Sequence, residues 1–350
     1  MFSTDGDASI PKITIHDIAR RLNITASTVS RALNGHPGIS IATKSMVQQT
    51  ARSLNYHRNN IASSLRLGKS KIIGVIIPSV EINFFGAVVH GIEKIASDND
   101  YNIIIYQSNE LADCEKKGVE TFLRSRVDCV LASFSKETID PDHYREIKNR
   151  GIPLVLFDRT NDDLGVPSVV VDDYRGAFNA TQHLVNQGCK RIAHIGGQQH
   201  VPIFNERRKG YADALKANNI PVDEELVVYG TVSIEAGKEC MLNLLKLQQV
   251  PDAIFAVEDF TALGAMQAIK EAGKRIPEDV AVIGFANEPF GKHITPSLST
   301  VDQQATKMGE EAAGLFFKVC EKNEFYLRNP PKIILEPALV VRNSSVKQQF

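Results

Sequence analysis

The sequence is short of cysteine, of long apolar runs and of the motifs that mark most enzymes. Its five cysteines, Cys114, Cys129, Cys189, Cys240 and Cys320, are odd in number and far apart. They match neither a disulfide framework nor a zinc ribbon, and are expected to be reduced and structural. No stretch approaches the roughly 18 apolar residues of a membrane span, and the opening MFSTDGDASI lacks the basic start and apolar core of a secretory signal. A cytoplasmic chain without membrane contact is expected. There is no G-x-x-x-x-G-K-[ST] or G-x-G-x-x-G phosphate loop, no G-x-S-x-G elbow and no pair of histidines at metal-ligating spacing. Gly196-Gly197 is the nearest glycine cluster, and an ordinary strand-to-helix turn accounts for it. The expectation is therefore of no catalytic residue, no metal and no cofactor.

Charge of one sign is also scarce overall, since the formal net charge is −1, but the balance is uneven along the chain. Residues 1–71 hold 10 Lys and Arg against 3 Asp and Glu, and the remainder holds 30 against 38. The basic end is where a polyanion would bind.

What is present is enough apolar material, 43% of 350 residues, for two or three folded units. From residue 72 the apolar runs are short and β-branched, as buried parallel strands require: IIGVII (72–77), NIIIY (102–106), VDCVLA (127–132), PLVLF (153–157) and SVVVD (168–172). RIAHIG (191–196), LVVY (226–229), DAIFAV (252–257) and VAVIGF (280–285) continue the rhythm, with amphipathic stretches such as 174–188 and 258–273 between them. This predicts a doubly wound α/β body. Some ten strands suit two sheets of about five or six better than one wide sheet, so two subdomains with a cleft between them are expected.

Ahead of the body, TIHDIARRLNITASTVSRALNG (14–35) reads as two helices joined by a tight turn. Thr14 with Asp17 makes an N-capping pattern, and Ile15, Ile18, Ala19 and Leu22 share a face at helical spacing. Asn23 tolerates a left-handed turn, and Thr25 can cap the second helix. Val29, Ala32 and Leu33 then face the first helix, leaving Ala26, Ser27, Ser30 and Arg31 outward. Small side chains allow close approach to base edges, and an arginine can fork onto a guanine. A third helix is expected over 41–56 behind a Ser40 cap, and Lys44, Arg52 and the turn from Asn34 to His36 are placed to grip phosphates. The DNA-contacting set is expected to comprise Thr14, Thr25, Ala26, Ser27, Thr28, Ser30, Arg31 and Asn34. The plainer alternative is an αα-hairpin with a solvated polar face.

These residues, followed by TARSLNYHRNNIASSLRLGKSKIIGVIIP, VVVDDYRGAFNATQHLVNQGCKRIAHIGG, NERRKGYADAL, FAVEDFTALGAMQAI, PEDVAVIGF, TPSLSTVDQ and EPALVVRNSS, closely resemble the LacI/GalR family of bacterial repressors over about residues 13–345. The resemblance implies a helix-turn-helix domain over 13–57 after a disordered tail (1–12), a hinge helix and linker over 58–71, and an effector-binding and dimerisation body over 72–345 before a short tail (346–350). The body would have the periplasmic-binding-protein-like form, with an N-subdomain about 72–171 and 301–334 and a C-subdomain about 172–300 and 335–345. The resemblance also implies that Leu65 wedges into the minor groove, where an apolar side chain between base steps kinks the duplex; a packed linker helix is the alternative. Arg58 stands where the family usually has proline, and Ser63 where it usually has arginine.

By the same resemblance, effector contacts fall on Asn83, Phe84, Phe85, Ser133, Asp158, Arg207, Glu258 and Asn287. Carboxylate and guanidinium groups pair with vicinal hydroxyls, and an aromatic face covers the apolar side of a pyranose. Phe84 and Phe85 could instead begin a buried helix, and Asp158 could pair with Arg207 as a cross-cleft salt bridge. Glu258 replaces a frequent Asn or Asp, and Ala286 a common Asp. The function implied is a transcription regulator, a repressor by family habit, working as a homodimer or higher oligomer on a pseudo-palindromic operator. A small-molecule effector, a carbohydrate in the family, would control operator affinity. The alternatives are a sugar-active enzyme or a sugar-binding protein with an incidental helical N-terminus.

Overall fold

A computed structural model describes residues 13–56, 69–322 and 330–347. The chain divides into two compact units, Met1–Ser70 and Lys71–Phe350. In the first, α1 (Ile15–Leu22), α2 (Ala26–Leu33) and α3 (Ile41–Ser53) pack around Ile18, Val29, Ala32, Val47 and Ala51. Their starts are set locally. Asp17 accepts from the Thr14 backbone N–H at 2.9 Å in a reciprocal capping box, and Thr25 and Ser40 accept from the amides of Thr28 and Thr43. Asn23 turns the chain between α1 and α2 at φ 53°, a left-handed conformation asparagine tolerates. The third helix stops at Ser53, short of the expected Tyr56, because Asn55 also turns left-handed at φ 52° and Tyr56 N–H closes back on Ala51 O at 2.9 Å.

The second unit contains two parallel sheets. One is six-stranded: β1 (Ile72–Ile77), β2 (Asn102–Gln107), β3 (Cys129–Ala132), β4 (Leu154–Phe157), β5 (Ser168–Val171) and a late strand, β11 (Lys332–Leu335), in the order β11-β5-β4-β3-β1-β2. The other has four strands: β6 (Ile192–Gly196), β7 (Val227–Tyr229), β8 (Ala253–Ala256) and β9 (Ala281–Ile283), ordered β7-β6-β8-β9. The expected size of five or six holds for the first sheet and fails for the second. Two three-residue strands, β10 (Thr300–Asp302) and β12 (Ala338–Val340), pair antiparallel with each other instead of widening it. The run 102–106 is not a buried strand either. It forms a sheet edge, where Ile104 and Ile105 are 41% and 43% exposed.

Helices fill the crossovers. In the first lobe they are α4 (Asn83–Asp98), α5 (Ala112–Ser125) and α6 (Asp142–Asn149), and in the second α7 (Asp173–Asn186), α8 (Pro202–Ala217), α9 (Ile234–Leu244) and α10 (Asp259–Glu271). The last helix, α11 (Ala305–Lys322), returns to pack on α4 of the first lobe. The chain thus passes between lobes beside Asp172, between β10 and α11, and between β11 and β12. Where α4 meets α11 the backbones touch. A Cβ on Gly91 would lie 2.1 Å from Thr306 O, and one on Gly309 would lie 2.0 Å from Val88 O. Only glycine fits at both positions.

Candidate functional site

In the first unit, α2 presents a polar face. Ser27 and Arg31 are exposed one turn apart, and Ser30, half-buried, lies on the same side, with its Oγ 3.5 Å from Asn34 Nδ2. The hydroxyls of Thr25 and Thr28 lie 2.9 Å apart within the cap. Lys44 Nζ donates to Gly35 O at 2.9 Å, so it braces the turn after α2 against α3. Ala26, expected to point outward, is half-buried and packs on the three-helix core, because the first turn of α2 leans onto α1. Asp17 is the one acidic residue among the described residues 13–56, and it holds Arg20 at 3.3 Å. The face can therefore approach a polyanion without local repulsion. Leu65, Arg58 and Ser63 lie outside the described residues.

In the second unit, an open cavity lies between the lobes at the carboxyl ends of the parallel strands, where open α/β sheets bind ligands. The first lobe contributes Ile82, Phe84 and Phe85 at the start of α4, Lys136 from the segment after β3, and Asp158 and Arg159 directly after β4. The second lobe contributes Phe204 and Arg207 from α8, Glu258 and Phe260 at the start of α10, and Ile203, Val232 and Ala286; Gln303 enters from the crossover after β10.

Arg207 is 2% exposed, and each of its three side-chain nitrogens has a partner. Nε and Nη2 lie 2.8 and 2.7 Å from Asp173 Oδ1, Nη1 donates to Val257 O at 2.7 Å, and the guanidinium sits 3.7 Å from the Phe285 ring centre. Burial lifts the Asp173 carboxyl above its ordinary range despite the pull of Arg207. The expected alternative pairing of Asp158 with Arg207 does not form. Asp158 instead accepts from Ser133 Oγ at 3.4 Å and lies 3.8 Å from Arg159 Nε, and burial again raises its carboxyl.

Arg159 donates from Nη1 to Glu110 Oε2 at 2.7 Å and to Phe134 O at 3.2 Å, while its buried Nε has no hydrogen-bond partner. Lys136 Nζ is 3.6 Å from Glu110 Oε1 and 3.4 Å from Thr231 O of the other lobe, and burial lowers its ammonium below the usual lysine value. Burial opposes ionisation of Glu110, but Arg159 and Lys136 together hold its carboxyl below the ordinary value. The segment carrying Lys136 is anchored by the fully buried Glu115. Its carboxylate meets Ser135 N at 2.5 Å, Thr138 Oγ1 at 2.9 Å and His143 Nε2 at 2.8 Å.

Glu258 caps α10, with Oε2 accepting from Phe260 N at 2.9 Å, while its buried Oε1 has no hydrogen-bond partner. Burial, reinforced by Asp259, pushes its carboxyl up to about 8. Two further bonds join the lobes beside the cavity: Phe84 N–H to Glu288 Oε1 at 3.1 Å, and His200 Nε2 with Lys136 O at 2.6 Å.

Of the eight effector positions expected from sequence, Phe84, Phe85, Asp158, Arg207 and Glu258 line the cavity and three do not. Phe84 and Phe85 are also buried at the start of α4, as the alternative of a buried helix start expects. Asn83 is exposed at the first residue of α4. Ser133 lies fully buried behind Asp158. Asn287 is held by Asp302 at 3.0 Å and Arg342 at 2.6 Å, which leaves Ala286 at the wall. Lys136, Arg159, Phe204 and Phe260 were not foreseen. Arg159 adjoins Asp158 in sequence and Phe204 is one turn before Arg207, so those two carried a local signal; Lys136 carried none.

Among the described residues no group of three or more His, Cys, Asp or Glu could hold a metal, and no helix is long and apolar enough to cross a membrane. Residues 14–59 match the model for bacterial regulatory proteins of the lacI family, and residues 181–345 match that for a periplasmic binding protein-like domain. The chain is 33% identical to catabolite control protein A of Priestia megaterium over 311 residues, 89% of this chain and 93% of that one. The chain belongs to the LacI family. It is 32% identical to the transcriptional repressor CytR of Escherichia coli K12, covering 85% of this chain and 87% of CytR. Among solved structures, the regulator CelR in complex with cellobiose matches with a TM-score of 0.72 at 28% identity, covering 95% of this chain and 99% of CelR. A Lac repressor dimer bound to operator shares the fold, with a TM-score of 0.84 at 23% identity over 96% of this chain and 99% of that one. This LacI-family chain is thus a DNA-binding transcription regulator with a helix-turn-helix domain and a periplasmic-binding-protein-like body.

Proposed function

We propose that the protein is a cytoplasmic repressor that binds a pseudo-palindromic operator as a homodimer and changes its operator affinity when a sugar or sugar derivative occupies the inter-lobe cavity. The observation that carries the reading is the cavity itself. Two lobes of a DNA-binding regulator meet around phenylalanine faces and a few polar side chains, the composition expected of a small-molecule site. Arg31 and Ser27 read base edges, and the capping threonines Thr14, Thr25 and Thr28, with Asn34, lie against the backbone phosphates. Two-fold symmetry doubles the short site that one recognition helix covers. The effector acts only through its differential affinity for the two arrangements of the lobes.

The test selects operator sequences from a randomised DNA pool with full-length protein and repeats gel shifts with and without a panel of sugars that raise its melting temperature. Sequence-specific binding that one stabilising sugar weakens or strengthens supports the proposal. Chemical turnover of a sugar, with no preference among DNA sequences, defeats it.

A further inference from the structure

Apart from the chain crossings, the lobes are joined by direct hydrogen bonds, and two of these converge on one residue. The Lys136 carbonyl, on the first lobe, meets His200 Nε2 at 2.6 Å, and Lys136 Nζ donates to Thr231 O at 3.4 Å. A carbonyl can only accept, so His200 Nε2 is the donor in the first bond. His200 belongs to the segment between β6 and α8, and Thr231 to the segment after β7, so two separate loops of the second lobe meet the same point of the first. Lys136 and Val232 line the cavity, which makes this bridge part of its wall, while His200 stands outside the lining.

Both ends of the bridge are held stiffly by their own lobes. On the first, the Lys136 N–H donates to Glu110 Oε2 at 2.8 Å, and the buried Glu115 carboxylate binds Ser135 and Thr138 on either side. Lys136 therefore cannot follow a departing second lobe without breaking bonds inside the first. On the second lobe, Val232 has φ 57°, a left-handed conformation that a β-branched residue rarely adopts. That angle sets the direction of the Thr231 carbonyl relative to the Val232 side chain. It lets the carbonyl face Lys136 while the side chain packs on Val201, Ile203, Phe204 and Val257. Backbone strain of this kind persists where the surroundings over-determine it, and it collects at clamps and switch regions.

We propose that Lys136, His200 and the Thr231 carbonyl form a latch that fastens the two lobes across the cavity, so that one lobe can turn away from the other only by releasing both bonds at Lys136. The latch biases the equilibrium between lobe arrangements, the same equilibrium on which an effector acts, and His200 does so without lining the effector's cavity. Its consequence for operator affinity rests on the reading of the cavity as an effector site; the latch itself does not.

The experiment measures the distance between the lobes in full-length protein without added sugar. p-Acetylphenylalanine replaces Lys117 on α5 and Glu239 on α9, both exposed and one on each lobe, and carries spin labels for pulsed dipolar spectroscopy. A large excess of unlabelled protein confines the signal to distances within one chain. His200→Ala is expected to raise the ratio of separated to latched lobes about two- to tenfold, the worth of one hydrogen bond. His200→Gln, whose amide can donate to the same carbonyl, should keep the parent distribution, and Lys136→Met should shift it less than His200→Ala does, because the contact it removes is long. Thermal melts establish that each variant is folded. Identical distributions in the parent and His200→Ala overturn the latch, and so does a His200→Gln variant shifted as far as His200→Ala, which would assign the effect to the ring itself. Gel shifts on the selected operator then separate the two readings. A matching change in operator affinity for His200→Ala ties the latch to DNA binding; a shifted distance distribution with unchanged operator affinity leaves the latch standing and defeats the effector reading of the lobes.

Discussion

The polar face of α2 and the polar wall of the inter-lobe cavity use the same side-chain chemistry in opposite surroundings. On α2, Arg31 and Ser27 stand in water, and the nearby hydroxyls are occupied by bonds within the helix and its cap. In the cavity, Arg207 and Asp158 are buried and Glu258 is half-buried with one oxygen enclosed, and every charge is answered, or left wanting, by a specific neighbour. Solvent screens the first set, so changing a residue there alters what is bound and leaves the fold alone. In the second set a change alters both, because a stranded partner keeps its desolvation cost.

The contrast breaks most visibly at Arg207. Replacing it with Met leaves Asp173 buried without its cation, an effect of about 3–5 kcal/mol by the precedent of broken buried pairs. Denaturant melts should show the body destabilised by that order, and the double variant Arg207→Met/Asp173→Leu should recover most of the loss. A single variant as stable as the parent would mean the pair is not a buried ion pair at all. Next comes Arg31→Ala, expected to cost about 1–3 kcal/mol of discrimination at one base pair per half-site with no change in melting temperature. Competition gel shifts with operator variants measure it, and uniform weakening on every sequence would reassign Arg31 to the phosphates. Thr25→Ala should cost about 1 kcal/mol of helical stability in the first unit, seen by circular dichroism, because the Thr28 amide loses its acceptor.

The smallest effect is a slope. Glu258 holds its proton in the folded chain up to about pH 8, whereas an unfolded glutamate releases it near 4.5. Between those values the folded state binds the extra proton, so stability falls as pH rises. Glu258→Gln should flatten that decline in melts run from acid to alkaline pH. It will not abolish it, since burial also lifts Asp259 to about 7. An unchanged slope would show Glu258 to be ionised throughout.

How legible each region was in the sequence follows from the range of its interactions. The first unit is built from bonds three or four residues long, such as Thr14 with Asp17 and Thr25 with Thr28, and apolar spacing gave its three helices directly. The nine β-branched runs of the body were equally plain. The strands β10 and β12 were not, because three residues carry no period and their pairing joins positions some 40 residues apart. Nor does alternation or apolar content reveal that β2 lies at an edge, which depends on strand order. In the cavity, Asp158, Arg207 and Glu258 were reached through family resemblance. Asn287 stands off the cavity wall because Arg342, 55 residues later, takes its amide oxygen, a pairing no local pattern announces. Lys136 was missed because it is set by Glu115, which ties down the segment on either side of it from the preceding helix.

The backbone contact between α4 and α11 has a further consequence. Gly91 lies two turns along the helix whose first residues bring Phe84 and Phe85 to the cavity, and it rests on Thr306 O with no room for a methyl. A single added carbon there would push α4 along or away from its neighbour and carry both rings with it. The ligand's pocket can therefore be retuned from a position that never meets the ligand, and variants with altered effector response should be sought at this crossing as well as among the side chains that line the cavity.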